Sequence, residues 1–494
     1  MSESNPASAA PLASTGIAGL DNVLGGGFTP NRLYLVEGMP GSGKTTLAFQ
    51  FLIEGVRLGE PVLYVTLSET AEEIRAVAAS HGWSVDGVAI RELVPAQESL
   101  EPEEQYTVFH PSEVELSDTT KKILADVERI KPARLVFDSL SELRLLAGNP
   151  LRYRRQILAL KQYFAGRRCT VLLLDDLTSE GHDLQVQSIA HGAILLEQTI
   201  PEYGKQRRRL SIVKYRGKEF RGGFHDYTIE RGGLRVYPRL VAAEHKQEQM
   251  RERLSSGRPA LDKLLGGGIE RGTSTLVMGA AGTGKSTIAA LFACAAADRG
   301  ERAAMFLFDE STRTLLARMS ALGVDLARHV ASGAVTVQQI DPAELSPGEF
   351  SHAITHAVEK GGCSVLVVDS LNGYLNSMPS ERFLVIQLHE ILTYLGQKGV
   401  ATLLINAQQG LIGHMSSSVD ASYLADAVVL MRYFEAEGEV RQAISVVKKR
   451  GGVHERTIRE FRLEPGSITV GEPLREYRGI LTGTPDRGHA RPKA

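Results

Sequence analysis

The chain of 494 residues repeats itself, and this repeat constrains its fold more than any other feature. The stretch TGIAGLDNVLGGG at 15–27 is matched by SGRPALDKLLGGG at 256–268. Asp21 pairs with Asp262 and Lys44 with Lys285, each 241 residues further along the chain. Several patterns in one constant register indicate a duplicated domain. We therefore expect two related domains, where length alone suggests roughly three.

A short polar segment marks the boundary between the repeats. Residues 242–253 are rich in charged side chains and are predicted to form a linker. The predicted organisation is a flexible N-terminus at 1–13, a first domain at 14–241, a second domain at 254–480 and a flexible tail at 481–494.

Composition excludes several classes of protein. Lys and Arg number 56 against 58 Asp and Glu, so the net charge of −2 argues against a nucleic-acid coat protein. Three cysteines, Cys169, Cys294 and Cys363, show no CxxC spacing, which argues against a disulfide framework or a zinc ribbon. We find no signal peptide and no apolar run of about 18 residues. The sequence predicts a cytoplasmic protein without a membrane segment.

Each repeat carries a glycine-rich loop between an apolar run and a helical pattern. Glycines let the backbone wrap around phosphates, and amide N–H groups point inward at the helix N-terminus. In this Walker A pattern the lysine reaches the β- and γ-phosphates, and the following hydroxyl binds Mg²⁺. The candidate ATP-binding residues are Gly38, Gly41, Ser42, Gly43, Lys44, Thr45 and Thr46, and Gly279, Gly282, Thr283, Gly284, Lys285, Ser286 and Thr287.

An apolar run ending in aspartate follows each loop further along the chain. RLVFD ends at Asp138 and SVLVVD at Asp369. Such an aspartate at the carboxyl end of a strand can hold Mg²⁺ beside the loop hydroxyl. The predicted metal-site residues are therefore Thr45, Asp138, Ser286 and Asp369. The alternative is that each aspartate only caps the next helix.

Two further patterns supply candidate catalytic groups. VTLSET at 65–70 contains Glu69, and LFDEST at 307–312 contains Asp309 and Glu310. These acids could orient or deprotonate an attacking nucleophile, or could simply favour a helix N-terminus.

Each repeat also has a Lys-x-Arg segment at the end of a strand-like run. The cations are Lys214 and Arg216 in the first repeat and Lys448 and Arg450 in the second. They could stabilise charge on a transferring phosphoryl group, or could be solvated strand ends.

The chain resembles the KaiC family over about residues 14–480. The resemblance is carried by SHGW at 80–83, DAVVLMRYFEAEGE at 426–439 and KKRGGVHERTIREF at 448–461, beside the paired phosphate loops. It implies an α/β protein with two tandem RecA-like P-loop NTPase domains, each a mostly parallel sheet flanked by helices.

The same resemblance implies a double-ring homohexamer that binds ATP with Mg²⁺ at subunit interfaces. The phosphate loop would come from one subunit and the Lys-x-Arg segment from its neighbour. Ser80 would lie near the nucleotide of the first ring, and Lys449 and His454 near that of the second. By resemblance, the first ring is an ATPase and the second an autokinase and autophosphatase acting on Ser and Thr.

This chain departs from the family pattern in its acid pairs and in its phosphorylation sites, and the second-domain pair Asp309-Glu310 has one acid shorter by a methylene. The first-domain acid pair is Ser68-Glu69 instead of Glu-Glu, which leaves one carboxylate for hydrolysis. The adjacent Ser-Thr phosphorylation pair of the family aligns with Ser422-Tyr423, and a third site aligns with Ser417. Ser422 is thus the main phosphorylation candidate, the alternative being a plain interface hydroxyl.

Three functions follow from these observations. The first is a hexameric ATPase with serine autokinase activity on Ser422, acting in signalling or timing. The second is a nucleotide-gated scaffold with little turnover, which a KaiB-like or other signalling protein would read. The third is a RecA-like DNA-dependent ATPase, supported only by the basic clusters 152–155 and 205–209. Aromatic residues for base stacking are nearly absent there, so nucleic acid is not an expected partner.

Overall fold

The computed structural model describes residues 11–93, 111–177, 184–245, 252–376, 383–408, 410, 421–482 and 486–487. The chain divides into two compact units, Met1–Arg239 and Leu240–Ala494. Within the described residues, no helix is both long enough and apolar enough to cross a membrane.

The first unit alternates strands and helices and then ends in hairpins. Its strands are β1 (Leu33–Gly38), β2 (Val62–Thr66), β3 (Val88–Glu92), β4 (Arg134–Asp138), β5 (Thr170–Asp176), β6 (Gly192–Thr199), β7 (Arg207–Tyr215), β8 (Phe224–Glu230) and β9 (Gly233–Tyr237). Its helices are α1 (Ala18–Val23), α2 (Lys44–Arg57), α3 (Ala71–Ser80), α4 (Pro111–Ile130), α5 (Leu140–Ala147), α6 (Pro150–Phe164) and α7 (Leu184–Ile189).

The first sheet has the strand order β3-β2-β4-β5-β1-β6-β7-β8-β9. The first six strands in this order are parallel, and the last three pairings are antiparallel. Every residue of β1 is buried, because side chains on both faces of this central strand are covered. Tyr34 and Val36 belong to one apolar core, and Leu33 and Leu35 to the other.

The second unit repeats this pattern with a few extra short elements. Its strands are β10 (Arg253–Leu254), β11 (Ile269–Glu270), β12 (Ser274–Gly279), β13 (Arg302–Leu307), β14 (Val335–Gln339), β15 (Cys363–Asp369), β16 (Ala401–Ala407), β17 (Ala427–Ala436), β18 (Glu439–Lys449), β19 (Arg459–Glu464), β20 (Ser467–Pro473), β21 (Tyr477–Arg478) and β22 (Asp486–Arg487). Its helices are α8 (Pro259–Leu264), α9 (Lys285–Asp298), α10 (Thr312–Ala321), α11 (Leu326–Ala331), α12 (Pro347–Glu359), α13 (Leu371–Asn376) and α14 (Leu384–Gln397).

The second sheet has the order β14-β13-β15-β16-β12-β17-β18-β19-β20, which is the same topology strand for strand. Two large, mostly parallel sheets with helices on their faces confirm the predicted tandem RecA-like fold. The duplication seen in the sequence is therefore a duplication of the whole sheet.

The repeated motif that starts each unit is a turn built around one aspartate. Asp21 accepts a hydrogen bond from the Thr15 N–H at 2.8 Å, and Asp262 accepts one from the Ser256 N–H at 2.8 Å. The glycine triplet that follows has positive φ at all three positions in both units, at 25–27 and at 266–268. Only glycine adopts such a run without strain, which explains why GGG occurs in both repeats.

Some predicted linker and tail residues take part in the second unit. A short 3-10 helix at Ala242–His245 packs on α14, where the Ala242 N–H donates to Glu390 at 3.0 Å. Asp486–Arg487 pairs with Tyr477–Arg478 in a small antiparallel sheet. The rest of both segments lies mostly outside the described residues.

Candidate nucleotide sites

The phosphate loop of the first unit joins the carboxyl end of β1 to the start of α2. Gly43 caps this helix with φ of +96°. A Cβ atom on Gly38 would lie 2.5 Å from the Ser42 hydroxyl oxygen, and one on Gly43 would lie 2.6 Å from Ile229. The loop therefore requires glycine at both positions, and its backbone can approach a ligand closely.

The lysine of this loop is buried and fully bonded. The Lys44 ammonium donates to the carbonyl oxygens of Gly38 at 2.8 Å and Met39 at 3.1 Å. Its third partner is the Asp176 carboxylate, at 2.6 Å. A lysine ammonium has three N–H donors, so all three are used.

A hydroxyl and a carboxylate meet beside this lysine, as the sequence predicts. The Thr45 hydroxyl donates to Asp138 Oδ2 at 3.0 Å, and the Tyr64 hydroxyl donates to the same oxygen. Burial raises the pKa of Asp138, and these two hydrogen bonds act in the opposite direction. The oxygen donors Thr45 and Asp138 suit Mg²⁺, which prefers hydroxyl, carboxylate and water ligands.

The second unit has an equivalent phosphate loop, lysine and aspartate, with fewer contacts among them. Gly284 caps α9 with φ of +96°, and the buried Lys285 donates to the Ala280 carbonyl at 2.6 Å. Asp369 ends β15, and its Oδ2 is buried without a hydrogen-bond partner among the described residues. Burial raises the pKa of Asp369, and the Ser286 hydroxyl lowers it. An unpartnered buried carboxylate oxygen beside Ser286 fits a bound cation.

The acids that follow β2 and β13 differ in their surroundings. Glu69 Oε2 is buried without a hydrogen-bond partner among the described residues. Burial raises the pKa of Glu69, and the charges of Asp138, Glu73 and Asp176 raise it further. Ser68 beside it is exposed. Glu69 is therefore the lone acid of its pair and is held near the first phosphate loop.

In the second unit both acids have partners. Arg318 of α10 binds Glu310 through two nitrogens, at 2.6 and 3.3 Å, and donates to the Thr287 hydroxyl at 3.1 Å. Asp309 accepts a hydrogen bond from the Ser370 hydroxyl. The arginine thus connects the candidate base to the phosphate loop.

The remaining first-unit nucleotide candidates lie close to α3. The Thr46 hydroxyl is 3.5 Å from the His81 ring, which packs on Trp83. The exposed Ser80 hydroxyl donates to the Val77 carbonyl of its own helix at 2.7 Å. The structure therefore places Thr46 at the loop and Ser80 at the end of α3.

The Lys-x-Arg segments lie at the end of each sheet opposite to the phosphate loop, beside the amino ends of β6 and β17. Lys214 is opposite Ala193 in the register of β7 and β6, and Ala193 is level with Leu35 of β1. Its ammonium donates to the carbonyls of Gln187, Ser188 and Ala190 at 2.7 to 3.2 Å. Arg216 donates to the Ser188 carbonyl at 2.7 Å.

The same main-chain anchor recurs in the second unit. Lys448 donates to the carbonyls of Ser422 and Ala425 at 2.7 and 2.8 Å. Arg450 donates to the Tyr423 carbonyl at 2.8 Å. Both Lys-x-Arg segments thus bind the turn before the strand next to the phosphate-loop strand, far from the loop of their own unit.

The other second-unit candidates gather at the glycine turn near 266–268. Lys449 donates to the Leu265 and Gly268 carbonyls at 2.5 and 3.3 Å. The backbone of His454 lies against Gly266. The phosphorylation candidate Ser422 is half-buried, and Ser417 lies outside the described residues.

Three residues that sequence reasoning missed belong to these sites: Asp176, Tyr64 and Arg318. Asp176 ends β5, which is next to β1 in the sheet but far from it in the chain. Aligning VLLLDD at 171–176 with TLLINA at 402–407 would have shown the acid present in one repeat only. Nothing in the local sequence marks Tyr64 or Arg318.

Two such sites on two equivalent sheets define a tandem P-loop ATPase, and the comparisons with known proteins specify the family. The KaiC ATPase family model matches residues 13–241 and 254–475. The circadian clock protein KaiC3 of Synechocystis sp. is 28% identical over 479 residues, which cover 95% of this chain and 94% of that protein. The circadian clock oscillator protein KaiC of Parathermosynechococcus lividus is 27% identical over 482 residues, covering 97% and 88%. The chain belongs to the KaiC family of ATPases.

Proposed function

We propose that this protein hydrolyses ATP at the subunit interfaces of a double-ring homohexamer and phosphorylates itself on Ser422 in the second domain. Its relatives are named as circadian clock proteins, which supports a role in timing or other signalling. The observation that carries the interface proposal is the distance between the phosphate-loop lysine and the Lys-x-Arg segment within each unit. In each unit the phosphate loop lies at the carboxyl end of β1 or β12, and the Lys-x-Arg segment lies beside the amino end of the neighbouring parallel strand, β6 or β17.

A neighbouring subunit can place its Lys-x-Arg cations beside the phosphate loop, which the segment of the same chain does not reach. In a ring of identical subunits, the Lys-x-Arg face of one subunit can meet the phosphate-loop face of the next through a heterologous interface. Bound ATP with Mg²⁺ would supply the transferable phosphoryl group, held by Lys44 and Thr45 or by Lys285 and Ser286. Asp138 and Asp369 would hold the metal ion, and Glu69 and Glu310 would orient the attacking group.

The interface proposal is tested by mixing two inactive variants. Both carry Lys44→Ala to silence the first site; one adds Lys285→Ala and the other Arg450→Ala. Each alone should have little ATPase activity. Mixed hexamers should regain up to about a quarter of the second-site rate, because one interface in four pairs an intact loop with an intact arginine. Mixtures no more active than their components, or a monomer by light scattering with ATP and Mg²⁺, would reject it.

One observation favours a second candidate for the first ring. Ser68 leaves a single carboxylate there, so nucleotide occupancy could set a conformation that a KaiB-like or other partner reads, with little turnover. The rate of the first site alone distinguishes this scaffold function from hydrolysis.

A further inference from the structure

The two phosphate loops face different residues at one equivalent position. In the first sheet, Asp176 of β5 is paired in register with Gly38, the first glycine of the loop. In the second sheet, Ala407 of β16 is paired in register with Gly279, the corresponding glycine. The same place in the fold therefore carries a carboxylate in one unit and a methyl group in the other.

The carboxylate binds the lysine that the phosphate loop offers to a ligand. Asp176 Oδ1 lies 2.6 Å from the Lys44 ammonium, and the two side chains are 27% and 7% exposed. No carboxylate pairs with Lys285 among the residues that the structure describes.

Asp176 is held in this position by its surroundings. The Ser141 hydroxyl accepts a hydrogen bond from the Asp176 N–H at 3.2 Å, and its oxygen lies 3.3 Å from Asp175 Oδ1 and 3.4 Å from Asp176 Oδ2. Its neighbour Asp175 is buried and paired with Arg144 at 2.5 Å. The acid is therefore directed at Lys44 by a fixed strand end.

We propose that Asp176 is an internal competitor for Lys44, which makes the first site bind nucleoside di- and triphosphates more weakly than an otherwise equal site. Asp176 occupies one of the three N–H donors of Lys44, and a phosphate oxygen must displace the carboxylate to use that donor. The negative charge of Asp176 also repels the polyphosphate, because the two anions lie close together and like charges repel. This inference rests on the proposed role of Lys44 in phosphate binding.

The test measures Mg²⁺–ADP binding to the full-length protein, one site at a time. A Lys285→Ala background reports the first site, and a Lys44→Ala background reports the second. In the first background, Asp176→Asn should lower Kd about tenfold. In the second, Ala407→Asp should raise Kd by a similar factor. A gain of affinity at the first site is a change that a merely structural role for Asp176 would not produce.

Asp86→Asn is the matched control. It removes one negative charge from an exposed loop before the amino end of β3, whereas the phosphate loop lies at the carboxyl end of the parallel strands. This substitution should leave Kd unchanged. An unchanged or higher Kd in Asp176→Asn overturns the inference while leaving nucleotide binding intact. No binding in the first background, with or without Asp176→Asn, rejects the proposed first site itself and the inference with it. If Asp176→Asn does not fold, an unchanged Kd in Ala407→Asp overturns the inference alone.

Discussion

Glu69 and Glu310 occupy equivalent positions in the two repeats, but their neighbours give them different electrostatic environments. Glu310 is paired with Arg318, whereas Glu69 is surrounded by carboxylates and has a buried oxygen without a partner among the described residues. A base with a raised pKa is a better proton acceptor near neutral pH than an ordinary glutamate. Under the proposed role of Glu69 as the base, this environment offsets in part the missing acid at Ser68.

The first site should therefore lose activity at an unusually high pH on acidification. In a Lys285→Ala background, ATP turnover should fall as pH decreases, with a midpoint above the ordinary glutamate value of 4.5, because Glu69 must be deprotonated to act. The measurement is kcat against pH at saturating ATP. Glu69→Gln should lower kcat by about a hundredfold or more. A midpoint at or below 4.5 would contradict this role, and no turnover at any pH would favour the scaffold function.

Ser422 gives a second prediction at the scale of one residue. After incubation with γ-labelled ATP and Mg²⁺, label should appear on Ser422, since Lys448 fixes the main chain at this position. Mass spectrometry of the peptide spanning 414–424 locates it. Ser422→Ala should abolish most of the label, whereas Tyr423→Phe should retain it. Absence of phosphoserine throughout 414–424 would remove the autokinase and leave the ATPase.

Among the elements, the terminal hairpins of the first sheet are held by a buried histidine. His225 of β8 accepts a hydrogen bond from the Arg239 N–H at 2.8 Å, and its other ring nitrogen lies 2.9 Å from the Arg221 carbonyl. Burial lowers the pKa of His225 to about 4, and the charges of Arg239 and Arg221 lower it further. The folded unit therefore requires the neutral imidazole.

Acid should destabilise the first unit earlier than its carboxylates would predict. Unfolded His225 takes up a proton near pH 6.5, so the free energy of unfolding should fall by about 1 kcal/mol per pH unit from there to about pH 4. His225→Gln should be less stable at pH 7 but show a flatter dependence. Urea unfolding followed by the single tryptophan, Trp83, reports this unit. A wild-type and a variant profile of equal slope would contradict the assignment.

At the scale of the whole molecule, sequence reasoning succeeded where the repeat supplied a second copy of the same signal. The loops at Lys44 and Lys285 and the strands ending in Asp138 and Asp369 were all placed correctly. Glycine loops and apolar strands are local patterns, so the chain alone reveals them. The predicted duplication, seen from 15–27 and 256–268, became two sheets of identical strand order.

The contacts that the sequence did not reveal depend on the order of strands in the sheet. Asp176 reaches Lys44 because β5 lies next to β1, although three strands and five helices of the described residues separate them in the chain. Arg318 reaches Thr287 only through the packing of α10 beside the loop. Such contacts follow from topology and packing, which local patterns do not encode. The difference between the two sites lies in these contacts, while their similarity lies in the motifs.

The anchoring of the 422–425 turn has a consequence for how this family can diversify. Lys448 and Arg450 donate hydrogen bonds to carbonyl oxygens of this turn, and every residue type has a carbonyl oxygen. Lys214 and Arg216 bind the carbonyls of residues 187–190 in the same way, although the sequence there is different. These main-chain contacts do not depend on the side chains of residues 422–425, and the side chain that Arg450 also contacts, Asp426, lies just beyond them at 3.5 Å. The turn can therefore exchange its side chains, as with Tyr423, while its backbone stays in place. Substitutions can therefore change which hydroxyl groups the turn exposes without changing the conformation of its backbone.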